Sequence, residues 1–330
     1  MSKKYLLHKF YANQHLNSEE AEELMLLITQ GSFSEMEIAI ILMFYKTNSV
    51  TLNELSSFRK VLLERSLKFS IPFKAIDVCG TGGDEKDTFN ISTLSALIIA
   101  ACGYKVVKHG NYGVSCTSGS SNILEYFGYK FTNKTEILLD QLQETNICFL
   151  HAPLFHPAMK SVAQIRKDLG VRTVFNILGP LVNPALPTAQ LIGVHSPQLV
   201  ELYREVLIDQ PSNFCVVHSL AGYDEVSLTS EVMVATRAAI SLLKPVDFGC
   251  QQLQDSDLAG AEDVTQAAKL LETILKGQGS VAQNNVVSAN AGLLLWVLDQ
   301  TKQLKECVDK ARASLLSGKG FNVLQAVRGA

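Results

Sequence analysis

No Cys-x-x-Cys pair occurs anywhere in the 330 residues. The seven cysteines, Cys79, Cys102, Cys116, Cys148, Cys215, Cys250 and Cys307, are scattered and odd in number. That excludes a disulfide framework or zinc knuckle and suits reduced, buried thiols in a cytoplasm. An excess of charge is also missing. With 29 basic against 32 acidic residues and a net charge of −3, the chain has no basic footprint for nucleic acid or an anionic membrane. An anionic ligand must then be held by local positive charge. No apolar stretch approaches the roughly 18 residues of a membrane span, and the N-terminal residues lack the apolar core of a leader. These absences point to a soluble cytoplasmic protein. A hydrophobic content of 47% over this length supports a large core and two structural units.

What is present changes character near residue 70. Before it the sequence reads as helical: Asn17 with Glu20, Ser34 with Glu37 and Thr51 with Glu54 have the spacing of capping boxes and mark three helix starts. Gly31 closes the first of these helices as a left-handed cap. Ile38, Ile41, Leu42 and Tyr45 give the second an apolar stripe, either intrachain core or a dimer contact. From Phe73 onward short apolar runs alternate with helical stretches. Strands are expected at Ala75–Cys79, Lys105–Lys108, Ile147–Leu150, Ala189–Gly193, Phe214–Ser219 and Met233–Ala235, and a helix at Ala158–Leu169 among those between and after them. Such alternation predicts an α/β fold with a mostly parallel central sheet covered on both faces.

The first of these strands empties into Gly80-Thr81-Gly82-Gly83-Asp84, a loop whose amides are unobstructed and can ring an anion. It lacks the spacing of a dinucleotide fingerprint, and no Gly-Lys-Ser/Thr follows as in a Walker loop. A tight turn is the bland alternative. The accumulation around it argues for a ligand: Asn90, Ser92 and Thr93 open the next helix, and Lys108, His109 and Asn111 follow the next strand. These are the strand ends and helix starts where open α/β sheets bind ligands. Lys108 is suited to neutralising a phosphate as a point charge. His109 suits an aromatic carboxylate or amine, or a structural hydrogen bond. Asp224 and Glu225 are adjacent acids after a strand, a donor set that suits Mg²⁺ shared with substrate phosphates, although an acidic pair by itself is often a solvated turn. Arg166, on a helix, can grip a carboxylate through paired N–H groups or serve an interhelical ion pair.

Taken in order, Gly-Thr-Gly-Gly-Asp84, Asn-Ile-Ser-Thr93, Lys-His-Gly-Asn111, Ser118-Gly-Ser-Ser121, His156-Pro-Ala-Met159, the run from Arg172 to Pro184, and Asp224-Glu225 resemble the anthranilate phosphoribosyltransferases of tryptophan biosynthesis. The resemblance spans nearly the whole chain. It implies a nucleoside phosphorylase/phosphoribosyltransferase-like architecture: a small helical domain, residues 1–70, with helices from about 158–187 packing back onto it, and a large α/β domain, residues 71–330. It also implies a homodimer through the small domain and an active site at the hinge. The implied partners are phosphoribosyl pyrophosphate, at Gly80, Gly82, Gly83, Asp84, Thr88, Asn90, Ser92, Thr93, Lys108 and Ser120, and anthranilate, at Gly80, His109, Asn111, His156, Arg166 and Pro180. Mg²⁺ is the implied cofactor, on Ser92, Asp224 and Glu225. No catalytic nucleophile is implied; orientation and electrostatics carry the reaction.

The sequence departs from the family pattern at Tyr112-Gly113, where many members carry an arginine first, and at Ser121-Asn122, where many have alanine-aspartate. A pyrimidine-nucleoside phosphorylase would need a phosphate site without the paired acids. A nucleic-acid-binding relative would need a basic groove and a degraded glycine loop. Neither pattern is present.

Overall fold

The computed structural model describes residues 2–113 and 118–329; Cys116 lies outside them. The other six cysteines are free thiols. Internal contacts divide the chain into one unit of residues 1–69 and 152–186 and a second of residues 70–151 and 187–330.

The first unit is helical. Helices Ser18–Thr29, Glu35–Thr47 and Leu52–Arg65 each open on a reciprocal capping box, at Asn17 with Glu20, Ser34 with Glu37 and Thr51 with Glu54. An earlier helix, Lys3–Tyr11, starts at Ser2. The helix Ser18–Thr29 ends in a Schellman motif: Gly31 sits at φ +68°, its N–H donates to Ile28 O, and Ser32 N–H donates to Leu27 O. Glu54, fully buried, goes beyond capping, because Oε1 also accepts from Tyr45 Oη at 2.9 Å and from Leu16 N–H at 2.9 Å. Ile38, Ile41, Leu42 and Tyr45 are buried within the chain, so the stripe is intrachain core. Met36, Ile40 and Met43 of the same helix stay exposed. In the returning segment the helix begins at Lys160 and not at Ala158, because Pro157–Met159 forms a separate 3-10 turn led by proline. Short helical turns at Ala152–Phe155, Val174–Leu178 and Gly179–Leu181 complete the unit.

The second unit is built on one sheet: β1 (Ile76–Gly80), β2 (Val106–Gly110), β3 (Ile147–His151), β4 (Ala189–Gly193), β5 (Asn213–Ser219), β6 (Val232–Ala235) and β7 (Ile240–Leu243). Their order is β3-β2-β1-β4-β5-β6-β7. β1 to β5 run parallel, whereas β6 and β7 are antiparallel. β4 lies beside β1 with Ile76 opposite Ala189 and Gly80 opposite Gly193. The chain thus turns from one side of β1 to the other between β3 and β4, which makes the carboxyl ends of β1 and β4 the switch point where such sheets bind ligands. The helix Ile91–Ala101 is apolar almost throughout because it is sandwiched between β1 and the helices Val264–Leu275, Val281–Leu298, Leu304–Leu316 and Lys319–Gly329. No helix among the described residues is long and apolar enough to cross a membrane.

Candidate active site

β1 ends at Gly80, and the loop that follows is held in an unusual backbone conformation: Gly82 at φ +62°, Gly83 at +81°, Glu85 at +59° and Asp87 at +45°. Two glycines take the left-handed region at no steric cost, while Glu85 and Asp87 carry strain. The loop is tied to β4 by Thr81 N–H donating to Gly193 O at 2.9 Å. It is tied to the acid pair by Gly82 N–H donating to Asp224 Oδ2 at 2.7 Å. Close approach explains two glycines here. A Cβ on Gly80 would lie 2.6 Å from Asp224 Oδ2, and one on Gly193 would lie 1.5 Å from Asp224 O.

The acid pair sits in the connection between β5 and β6. Ser219 braces that connection, its hydroxyl donating to Glu225 O at 2.6 Å and its N–H to Tyr223 O at 3.0 Å. Asn290, buried on the helix Val281–Leu298, clamps the next residue: Oδ1 accepts from Val226 N–H at 3.0 Å and Nδ2 donates to Val226 O at 2.9 Å. Glu225 Oε1 accepts from Ser92 N–H at 3.0 Å in the first turn of the helix Ile91–Ala101. Burial first, then the neighbouring Asp84 charge, pushes the Asp224 carboxyl up to about 7. Glu225 is likewise raised, by burial and then by Asp224 and Asp84. Buried carboxylates set beside one another resist ionisation, because burial and like charge both disfavour the charged form.

Lys108, on β2, is buried; its Nζ donates to Val78 O at 2.6 Å and lies 3.4 Å from Ser92 Oγ. His109 is buried beside it, and its backbone N–H donates to Asp77 Oδ1 at 3.2 Å. Among the described residues Thr93 Oγ1 is buried with no hydrogen-bond partner. Asn90 precedes the helix without capping it, its Nδ2 donating instead to Ser118 O at 2.9 Å. Thr88 forms a bridge with Ala259. Asn111 is exposed at the end of the β2 segment, and its carbonyl accepts from Ser121 N–H at 3.3 Å and from the Ser120 hydroxyl at 3.5 Å. The second unit therefore gathers the glycine loop, Ser92, Lys108, Asp224 and Glu225 at one edge of the sheet.

His156, Arg166 and Pro180 belong to the first unit. His156 is buried, with Nε2 3.0 Å from Val182 O. Burial holds its imidazole down at about 4. Arg166 Nη2 donates to Asn176 Oδ1 at 3.3 Å, while its buried Nε has no hydrogen-bond partner among the described residues. Burial lowers the guanidinium's pKa. Pro180 is buried in the turn Gly179–Leu181.

The residues that sequence reasoning missed are braces: Asp77, Thr81, Ser219 and Asn290. Asp77 carried a readable signal, an acid inside an apolar strand and fully buried. Asn290 carried none, since an amide on a helix gives no hint of which backbone it will clamp.

The helical bundle domain of the glycosyl transferase family matches residues 4–66 and its a/b domain matches residues 73–321. An anthranilate phosphoribosyltransferase of Christiangramia forsetii is 45% identical over 320 residues, 97% of this chain and 96% of that protein. The chain belongs to the anthranilate phosphoribosyltransferase family. Solved structures of the family agree. The Thermus thermophilus enzyme superposes with a TM-score of 0.90 at 33% identity, covering 98% of both chains. The Saccharomyces cerevisiae enzyme, in complex with PRPP and Mg, gives 0.88 at 26% identity over 99% of this chain and 98% of that one.

Among the described residues no three His, Cys, Asp or Glu side chains are grouped to hold a metal ion. Magnesium does not require such a cage, because it usually takes one or two carboxylates and completes its shell with water and substrate phosphate. The adjacent acids fit that ion, with carboxyl pKa values raised by burial and by neighbouring carboxylate charge, Asp84 among it.

Proposed function

We propose that the edge formed by Gly80–Asp84, Ser92, Lys108 and the pair Asp224 and Glu225 carries the family reaction in this chain. The chain is an anthranilate phosphoribosyltransferase of tryptophan biosynthesis: it moves the phosphoribosyl group of phosphoribosyl pyrophosphate to the amine of anthranilate. One observation supports the site assignment above the rest. The amides of Gly82 and Ser92, from the glycine loop and the next helix start, both end on the acid pair, so one constellation holds phosphate-type donors and metal-type acceptors together.

In this reading the loop Gly80–Asp84 with Thr88, Asn90, Ser92, Thr93, Lys108 and Ser120 binds phosphoribosyl pyrophosphate. Asp224, Glu225 and Ser92 would hold Mg²⁺, which would supply neutralisation of charge on the pyrophosphate. The bond from the ribose anomeric carbon to the pyrophosphate oxygen breaks, leaving oxocarbenium character on the sugar. Lys108 stabilises the departing oxygens as a point charge. The neutral aryl amine supplies its lone pair to that carbon and then loses a proton. No side-chain nucleophile takes part; the gain is orientation of two bound reactants.

Within the first unit the residues assigned to anthranilate are His156, Arg166 and Pro180; within the second they are Gly80, His109 and Asn111. The guanidinium of Arg166, with its unpartnered Nε, takes the carboxylate. His156, neutral near pH 7 because burial holds it at about 4, serves as a hydrogen-bonding group and not as a cation. The same reading includes a homodimer through the first unit, supported by exposed Met36, Ile40 and Met43 along one helix face, and a cytoplasmic location, supported by free thiols. Anthranilate fluorescence followed with phosphoribosyl pyrophosphate, with and without Mg²⁺, tests the function. Metal-dependent consumption of anthranilate is expected, and its absence at saturating substrates refutes the reading.

A further inference from the structure

The two places where the sequence departs from the family pattern, Tyr112-Gly113 and Ser121-Asn122, are partners of one another. Asn122 Oδ1 accepts two backbone N–H groups, from Gly113 and from Gly119, each at 3.0 Å. The Tyr112 hydroxyl donates to Glu125 Oε1 at 2.6 Å. The Tyr112 ring meets His151, the last residue of β3, edge-on with centroids 4.8 Å apart. His151 in turn stacks on Phe131 at 4.6 Å, and its Nδ1 lies 2.9 Å from Ser121 Oγ.

These contacts draw the segment after β2 against the start of the helix Ser120–Tyr126. The approach is backbone to backbone. A Cβ on Gly119 would lie 2.2 Å from Gly113 N, and one on Gly110 would lie 2.4 Å from Ser120 Oγ. Ser121 and His151 are buried, but Tyr112 is 41% exposed, so its ring adds little to the core while making two specific contacts. An amide oxygen with two lone pairs satisfies both glycine N–H groups at once, and a hydrocarbon in its place would leave both without an acceptor.

We propose that Tyr112 and Asn122, with His151 behind them, are positioning residues that latch Asn111 and Ser120 into place for substrate. The inference rests on the assignment of Asn111 to anthranilate and Ser120 to phosphoribosyl pyrophosphate. It gives the latch a role in the reaction of this chain that neither residue performs by touching the reacting atoms. A misplacement of about 1 Å near reacting groups can cost up to about a hundredfold in rate, so a latch of this kind is visible in kinetics even when stability hardly changes.

The test is a double-mutant cycle in kcat/KM with Tyr112→Ala and Asn122→Leu, together with Asn122→Asp, which keeps the acceptor. Each single change is expected to lower kcat/KM about tenfold. The pair together should lose well under the product of the two, because both release the same segment. Asn122→Asp should return to within about threefold of the parent, since a carboxylate accepts the same two amides. Losses that multiply, or melting temperatures that fall while KM and kcat stay at parental values, overturn the latch. Should Asn122→Leu fail to fold, Tyr112→Phe decides, since it removes one hydroxyl at a half-exposed ring; unchanged kinetics there also overturns it. A parent that does not consume anthranilate sinks the functional assignment instead. The latch is then judged by amide exchange at Gly113 and Gly119, which must quicken in Asn122→Leu.

Discussion

Acid should loosen this protein through His156, by an amount that the surroundings of the residue set. The side chain is 7% exposed, and its Nε2–H donates to Val182 O at 3.0 Å. Burial is the largest influence and lowers the imidazole from 6.5 to about 4; the Val182 carbonyl opposes this and the Lys68 charge adds to it. Above pH 6.5 the ring is neutral in both folded and unfolded chains, so the full stability is present. Below it the unfolded chain takes up a proton that the folded chain refuses until about pH 4, and stability drains away across that window. At about 1.36 kcal/mol per pH unit, the span amounts to about 3 kcal/mol, a substantial part of the roughly 5–15 kcal/mol that holds a domain together. The comparison protein is His156→Gln, whose amide N–H can still reach the Val182 carbonyl but does not titrate. Thermal melts of both proteins from about pH 8 to pH 4 should show the parent losing ground to the variant as pH falls. Carboxylates such as Asp224 titrate in both proteins, so their contribution cancels in the difference. A difference between the two curves that does not change with pH would refute the reasoning.

Asp224→Asn with Glu225→Gln should abolish turnover across a Mg²⁺ titration yet melt higher than the parent in metal-free buffer near neutral pH, because it removes charges that burial and the neighbouring Asp84 carboxylate disfavour; undiminished turnover at low Mg²⁺ removes the metal assignment. Arg166→Ala should raise the KM for anthranilate about 10- to 100-fold, the loss of a charge-assisted bond worth about 1.5–3 kcal/mol, with the constant for phosphoribosyl pyrophosphate little changed; the reverse ranking in steady-state kinetics would put Arg166 in the wrong pocket. Gly82→Ala meets no atom within 4 Å, so its cost comes from φ +62° and should be about 1 kcal/mol in stability. Calorimetric titration should show a larger loss for phosphoribosyl pyrophosphate, and unchanged affinity would make the loop mere architecture.

Local rules carried far in this sequence. The capping boxes at Asn17, Ser34 and Thr51 and the glycine cap at Gly31 are each decided within a few residues, and all four form as expected. The strand Ala189–Gly193 matches residue for residue. β7 was invisible because Ile240 and Leu242 face outward from an edge strand, so no buried alternation marks it. In the site, the residue types of the glycine loop, Lys108 and the acid pair were legible. Their mutual bonds were not: that Gly82 N–H would meet Asp224, or that Asn290 would clamp Val226, depends on strand order and on which helix covers the sheet. Tyr112 and Asn122 read only as departures until Tyr112 was seen to meet Glu125 and His151, and Asn122 to accept from the amides of Gly113 and Gly119.

The insertion of β4 between β1 and β5 also fixes when the site can exist during synthesis. The Thr81 amide waits for the carbonyl of Gly193, and Gly82 for a carboxylate 142 residues further along the chain. A nascent chain that has made the glycine loop, Ser92 and Lys108 therefore holds half a site, with its strained loop untethered and one side of β1 unpaired. Pairings of such long reach form slowly and leave sheet edges open meanwhile. Ribosome-stalled chains ending before β4 should be cut by protease near Gly82, whereas chains carried past the connection between β5 and β6 should resist.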